Sequence, residues 1–276
     1  MKSTTSCLAI IAATSLAATS AGAAELVIRD AVARVQVISE QRGDLTVTIQ
    51  QGRVAQRLDM ERSGSRIVIR GDQHITGCWG EMNNIRVHTG IFGGHVISMA
   101  DAPTIVVHAP RDLKIDAGGA IFGTATDAHA LSLHQGGCGR WTIGNVENLE
   151  ASISGGAVLK GGTSDKAQVG ASGGGSIELG AVRALEASAS GGGHASIAEV
   201  NGPLSADASG GGSIMVHGGH PGAMQASASG GGRVIVDAVV GALSAEASGG
   251  GHIRVAGATG PVDRSQSGGG SIQVGH

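Results

Sequence analysis

The stretch that decides the fold is ASGGGSIEL, residues 171–179, because the chain repeats it with little change. Further copies are ASGGGSIMV (208–216), ASGGGRVIV (228–236) and ASGGGHIRV (247–255), with looser copies at 190–197 and 267–274. Three consecutive glycines are unfavourable in a folded element, since glycine loses more backbone freedom on folding than any other residue. Their recurrence therefore indicates a structural position that the fold repeats.

The glycine phrases have a nearly constant spacing. Aligning the first glycine of each phrase gives steps of 18 to 20 residues along the following series: Gly118, Gly136, Gly155, Gly173, Gly191, Gly210, Gly230, Gly249 and Gly268. A period of about 19 is too short for the common helical repeats and for a propeller blade, and it suits one coil of a β-solenoid.

Apolar residues alternate on both sides of each glycine phrase. Ile177 and Leu179 follow one phrase, and Leu185, Ala187 and Ala189 precede the next. This period of two predicts two strands per coil with aliphatic residues inward. Stacking coils about 4.8 Å apart would bury these columns, which one coil cannot do alone. The sequence predicts an all-β, single-stranded β-solenoid, for which a silk-like stack is the nearest alternative. Its glycine-rich corners are Gly173, Gly191, Gly210, Gly230, Gly249 and Gly268.

The N-terminus has the features of an export signal. Lys2 is followed by an apolar stretch (8–18) and by an A-x-A site (21–23), which predicts a signal peptide over residues 1–24. We expect a periplasmic, secreted or cell-surface protein, with no membrane-spanning segment in the mature chain. Residues 25–103 are predicted to form β coils or a cap with one irregular, elaborated coil, and residues 104–276 the regular repeats.

Composition excludes some classes of function. The formal net charge is −3, and only 15% of the residues are charged, without a basic stripe. Nucleic acid is therefore not an expected partner. Aromatic residues make up 1% of the chain, so the core must be built from aliphatic side chains.

Two cysteines remain after removal of the signal, Cys78 and Cys138. An oxidising compartment favours a disulfide between them, and two buried free thiols are the alternative.

These features resemble a known family. A signal peptide precedes GDLTVTIQQG and SRIVIRGD, and TIVVHAPRDLKIDAGG (104–119) leads into serial SGGG turns. The mature chain is similar to the head GIN domain family of bacterial envelope proteins, which are described as autotransporter adhesins. The resemblance implies a β-solenoid of adhesin-like function and supplies no catalytic residues.

One outward row of the repeats is a candidate binding surface. It is a mildly basic strip suited to an acidic glycan or a lipid headgroup, and a solvated strand face is the alternative: Ser176, His194, Ser213, Arg233, His252 and Ser271.

The sequence predicts no metal site, cofactor or catalytic residue. The glycine turns lack the aspartates of a calcium-binding repeat, and His217 and His220 are too few for a metal site. Arg140 and Trp141 could edge a binding patch, but packing of the tryptophan is the simpler interpretation. We therefore expect a non-enzymatic module that binds an envelope glycan or protein.

Three further possibilities remain open. An enzyme acting on envelope polysaccharide would need paired carboxylates in one groove. A small-ligand binder would need a regular hydroxyl array, which Asp207 and Glu246 interrupt. The final coil has no evident cap, so end-to-end self-association through its open strand edges is a further expectation.

Overall fold

The structure, a computed structural model, describes residues 23–79, 85–90 and 95–275. It confirms the predicted all-β solenoid, with about nine turns and no helix among the described residues. The predicted signal peptide lies almost entirely in residues 1–22, outside the described residues.

The described strands are numbered in chain order. They are β1 (Ala24–Glu40), β2 (Thr46–Gln50), β3 (Asp59–Ser63), β4 (Arg66–Arg70), β5 (Ile75–Trp79), β6 (Arg86–Thr89), β7 (His95–Ser98), β8 (Thr104–Pro110), β9 (Asp112–Ala125), β10 (Ala128–Ile143), β11 (Val146–Ile153), β12 (Val158–Gly161), β13 (Ser164–Gly173), β14 (Ser176–Gly191), β15 (His194–Val200), β16 (Leu204–Ala208), β17 (Ser213–Val216), β18 (Ala223–Ala228), β19 (Arg233–Val240), β20 (Ala242–Ala247), β21 (His252–Ala258), β22 (Val262–Gln266) and β23 (Ser271–Val274).

Each coil contributes one strand before its glycine corner and one strand after it. Strands before the corners stack in parallel as the pre-corner sheet, which runs from β11 through β13, the second part of β14, β16, β18 and β20 to β22. Strands after the corners stack in parallel as the post-corner sheet, which runs from β12 through the first part of β14, β15, β17, β19 and β21 to β23. β1, β9 and β10 are long enough to pass through a corner and join both sheets.

The core lies between these two sheets. Inward residues of the post-corner sheet are mainly Ile and Val, such as Ile214 and Val234, and both are buried. The pre-corner sheet contributes Leu204, Ala206 and Ala208, of which the alanines lie nearest to the corner. The sheets converge where the chain turns, so only small side chains fit there. The alternation predicted from the sequence therefore gives the inward face of each strand.

The three glycines of a corner have different roles. At the corner of residues 209–212, the Ser209 carbonyl accepts a hydrogen bond from the Gly212 amide at 2.9 Å. Gly210 has a φ of 62°, in the left-handed region that favours glycine. A Cβ on Gly211 would lie 2.7 Å from the Gly191 carbonyl oxygen. A Cβ on Gly212 would lie 2.2 Å from the Ala189 carbonyl oxygen of the coil below.

The predicted alignment of corners is one residue too early in the first two coils. The left-handed residues there are Gly119 and Gly137 rather than Gly118 and Gly136. Gly137 pairs in register with Gly119, and Gly155 lies directly above Gly137. In these two phrases the pair of glycines ends at the left-handed residue, whereas in the later phrases the run of glycines begins there, so aligning on the first glycine misplaces the turn.

The N-terminal coils are not stacked in chain order. β1 lies between the coil that contains β4 and β8 and the coil formed by β9. β2 pairs antiparallel with β8, and β3 pairs antiparallel with β4. Gln56 adds to the pairing of β1 at this end of the stack. Its Nε2 donates to the Val32 carbonyl at 3.0 Å, and its Oε1 accepts from the Val32 amide at 3.3 Å. The coil at this end of the stack, which contains β4 and β8, therefore comes after β1 in the chain.

Between β4 and β8 the chain forms an antiparallel sheet of β5, β6 and β7, which we call the flap. Its inner residues Val87 and Ile97 join a small apolar cluster with Val32 and Ala120 at the corners of the first coils. Cys78 on β5 forms a disulfide with Cys138 on β10, with a Cα–Cα distance of 6.2 Å. The flap is therefore attached to the solenoid by apolar packing and by one covalent bond.

Candidate binding surfaces

The basic strip forms one continuous column on the outer face of the post-corner sheet. Ser176, His194, Ser213, Arg233, His252 and Ser271 are paired in register from strand to strand. Each is partly or fully exposed. Because neighbouring parallel strands lie about 4.8 Å apart, the six side chains span roughly 24 Å. The sheet thus presents them as a straight, regular row.

A second column beside the strip adds charged groups. Lys160 contacts Glu178 at 2.6 Å, and Arg254 contacts Asp237 at 2.7 Å. Arg233 makes no ion pair among the described residues. Its guanidinium, with the imidazole of the adjacent His252 and that of His194 two coils away, is therefore the part of this face best able to bind an external anion.

The outer face of the pre-corner sheet has the opposite charge. Its exposed carboxylates in the regular coils include Glu150, Glu186, Asp207, Glu246 and Asp263. A shallow groove of about 680 Å³ crosses this face and is lined in part by Glu150, Gln168, Glu186 and Lys166. The two broad faces of the solenoid therefore differ in their charge.

A histidine between two carboxylates lies where one coil passes to the next. His129 Nδ1 contacts Asp112 Oδ1 at 2.6 Å, and its Nε2 is 3.8 Å from Glu147 Oε2. The hydrogen bond and charge of the Asp112 carboxylate raise the pKa of His129 above its ordinary value. All three groups are exposed, so this cluster is a solvated charge pair rather than a buried site.

Comparison with known families bears directly on these surfaces. A family described as "Putative auto-transporter adhesin, head GIN domain" matches residues 84–221, which is half of the chain. The chain belongs to the head GIN domain family. The head GIN match covers β6 to the loop after β17, and so includes Cys138 and the first three residues of the strip.

No curated protein matches the chain. One solved structure, titled as a putative cell adhesion protein from Clostridium sporogenes, is 8% identical over 91% of each chain, with a TM-score of 0.22. A similarity at that TM-score supports no conclusion about this protein.

The remaining residues singled out from the sequence of this head GIN protein are used in packing and in loops. Trp141 is fully buried, and its Nε1 donates to Gln135 Oε1 at 2.9 Å. His217 Nε2 contacts Ser196 Oγ at 2.9 Å, and the His220 amide donates to Asn201 Oδ1 at 3.1 Å. Within the described ranges, no three metal-ligating side chains converge, and no helix is long and apolar enough to cross a membrane.

The flap carries an exposed aromatic residue that lies outside the repeats. Trp79 is 48% exposed on the outer face of β5, and its ring centroid is 6.1 Å from that of His88. A cleft of about 530 Å³ separates the flap from the corner glycines Gly119 and Gly137. β5 has five residues and no repeat, so its sequence does not indicate that Trp79 is on the outer face.

Proposed function

We propose that this protein is an exported, non-enzymatic module of the bacterial cell envelope that binds an acidic glycan through its basic strip. The head GIN family supports an adhesin-like role at the cell surface or outside the cell. The predicted signal peptide supports export. A β-solenoid suits this role because its repeated coils hold side chains in a rigid, regular row.

The in-register strip is the observation on which the proposal rests. Arg233 lies between His252 and Ser213 in one column, so hydroxyl, imidazole and guanidinium groups follow one another at the strand spacing. These groups donate hydrogen bonds to carboxylates and sugar hydroxyls. The acidic opposite face would repel the same polymer, so charge selects which broad face is used.

Binding to immobilised polygalacturonate at increasing salt tests the proposal. A variant with His194, Arg233 and His252 each replaced by Ser should lose about tenfold in affinity, since exposed charge contacts contribute ~0.2–1 kcal/mol each. The matched control replaces Glu186 and Glu246 by Ser on the other face and should bind at least as well as the wild type. Equal binding by the strip variant and the wild type would refute the proposal.

A polysaccharide-processing enzyme is the second candidate, and one observation favours it. Glu150 and Glu186 face the same groove two coils apart, with Gln168 between them. Two strand spacings place the carboxylates about 10 Å apart, near the upper end of the range for inverting glycosidases. Both side chains are exposed, whereas a general acid usually needs an environment that raises its pKa. Release of reducing ends from acidic or neutral polysaccharides, abolished in Glu186→Gln, would favour this candidate.

End-to-end association is a further proposal about partners. Among the described residues, β22 pairs in register with β20 and β23 with β21 and with no further strand, so each leaves one strand edge open. Arg264 follows Ala245 in its column and places a charge at this end of the core. We therefore expect contact through the backbone edge of β23 rather than through apolar stacking. Small-angle scattering that gives the length of one rod at every concentration would exclude it.

A further inference from the structure

The outer face of the flap has the composition of a small ligand site. Trp79 is 48% exposed and Val96 is 49% exposed, although the other tryptophan of the chain, Trp141, is completely buried. Tryptophan carries a large apolar surface that folding normally removes from water. The exposure of Trp79 therefore costs free energy in the isolated protein, and a ligand that covers the indole would recover it.

Polar groups surround the indole on neighbouring strands. Arg86 is the direct cross-strand partner of Trp79, and His88 is the partner of Val96. The ring planes of Trp79 and His88 are inclined to each other by 37°, so the two rings diverge and leave space between them. Arg86 is exposed, and its guanidinium is the positive group next to the indole.

The imidazole of His88 is oriented by a threonine. Thr76 Oγ1 donates to the His88 carbonyl at 3.2 Å and lies 2.8 Å from His88 Nδ1. A hydroxyl has one hydrogen to donate, so its oxygen accepts the Nδ1 hydrogen of the imidazole. In the neutral ring, Nε2 is then left as an acceptor for a ligand hydroxyl.

The strands that carry the site are attached to the solenoid beneath them. Cys78, next to Trp79 in the chain, is bonded to Cys138 of the solenoid. Val87 and Ile97 are buried against the corners of the first coils. A ligand therefore meets a preformed surface, and little ordering cost opposes binding.

We propose that this face of the flap binds a sugar residue that carries a carboxylate, such as a uronic acid. The apolar C–H face of the pyranose would stack on Trp79, its carboxylate would pair with Arg86, and a ring hydroxyl would donate to His88 Nε2. The charge of this face favours an acidic sugar over a neutral or a basic one, because the described residues of the face include a guanidinium and no carboxylate. The site lies on a different element from the basic strip, so either proposal can fail without the other.

Tryptophan fluorescence tests the site directly, with trigalacturonate as the probe. Acrylamide quenches exposed indoles, so it should quench Trp79 and leave Trp141 almost unaffected. The probe should protect Trp79 from quenching, while the Trp79→Phe variant, which emits only from Trp141, should give no response. Val239→Ala, at another exposed apolar side chain, is the matched control and should respond like the wild type.

The Arg86→Gln variant tests the recognition of the carboxylate. We expect about tenfold weaker protection, since a hydrogen bond to a charged group is lost, and equally weak protection of the wild type by the methyl-esterified trisaccharide. The strip variant described above should retain full protection. The proposal is overturned if the probe does not protect Trp79, if Arg86→Gln binds as the wild type does, or if raising the protein concentration alone gives the protection, which would indicate a second copy as the occupant.

Discussion

Replacing the third glycine of a corner should destabilise the solenoid more than replacing either of the others. A Cβ at residue 212 would lie 2.2 Å from the Ala189 carbonyl oxygen and 2.5 Å from its carbon. Those atoms belong to the backbone of the coil below and cannot move without disturbing the ladder. Overpacking a well-packed site costs roughly 1–3 kcal/mol, so Gly212→Ala should lie at the upper end, about 3 kcal/mol. Gly210→Ala should cost about 1–2 kcal/mol, because its φ is left-handed, while its Cβ would lie 3.3 Å from the Gly191 nitrogen, a milder contact than at Gly212.

The chain provides a matched control within the same motif. Gly156 is the second glycine of its corner, as Gly211 is, but a Cβ at Gly156 would meet nothing within 4 Å. Gly156→Ala should therefore be neutral or stabilising by about 0.4–1 kcal/mol, through the lower entropy of the unfolded chain.

Hydrogen exchange is the best assay, because stability in a stacked repeat is set by neighbouring coils. Amides of residues 204–216 should exchange roughly 100-fold faster in Gly212→Ala than in the wild type, as a change of about 3 kcal/mol requires. Gly156→Ala should leave the exchange of its own coil unchanged. If both variants protect their corners equally, close approach of the coils is not the reason for the third glycine.

Three further outcomes follow from the contacts. Cys78→Ala should make the flap sensitive to proteases and lower stability by about 4 kcal/mol, since the disulfide closes a loop with a sequence separation of 60 residues; unchanged protection would show that apolar packing alone holds the flap. His129 has a raised pKa in the folded state because of Asp112, so its stabilisation is complete below the unfolded pKa of about 6.5 and is lost as the pH rises through the folded value; a titration by NMR should find that value above that of a free histidine, and His129→Gln should remove this contribution to the pH dependence of stability. Gln135→Leu should cost about 1–3 kcal/mol in urea unfolding, because the buried Nε1 of Trp141 loses its acceptor; a neutral effect would mean that the indole finds another partner.

Particular residues explain why some features could be predicted and others could not. The alternation of Ile214, Val216 and their counterparts repeats in every coil, so the local pattern was enough to assign inward and outward faces. The two tryptophans have no such pattern around them. Trp141 is buried above Gly123, where a Cβ would lie 2.3 Å from its ring, whereas Trp79 is exposed on the flap. Their environments depend on residues from other coils, which a local pattern does not identify.

The candidate surfaces also differ in whether a repeated pattern predicts them. The six residues of the strip recur at the repeat period, and a period that matches one coil places them in one column whatever the details of the turns. The same periodicity places Glu150 and Glu186 along one groove. The preference of an acidic polymer for one broad face depends on how the charged side chains are divided between the two sheets, and only the folded structure shows that division. The contacts of His88 with Thr76 and Trp79 arise within the flap, which has no repeat.

The sequence by itself determined the solenoid, its two strands per coil and its glycine corners, because each coil repeats the same local interactions and stacks on a near copy of itself. Only the tertiary structure decided the order of the N-terminal coils, with β1 between β4 or β8 and β9, and the attachment of the flap through Cys78 and Cys138. The physical reason is that these contacts join segments distant in sequence that share no repeated pattern. Their pairing is selected by the burial of apolar surface and the closure of open strand edges in the folded molecule.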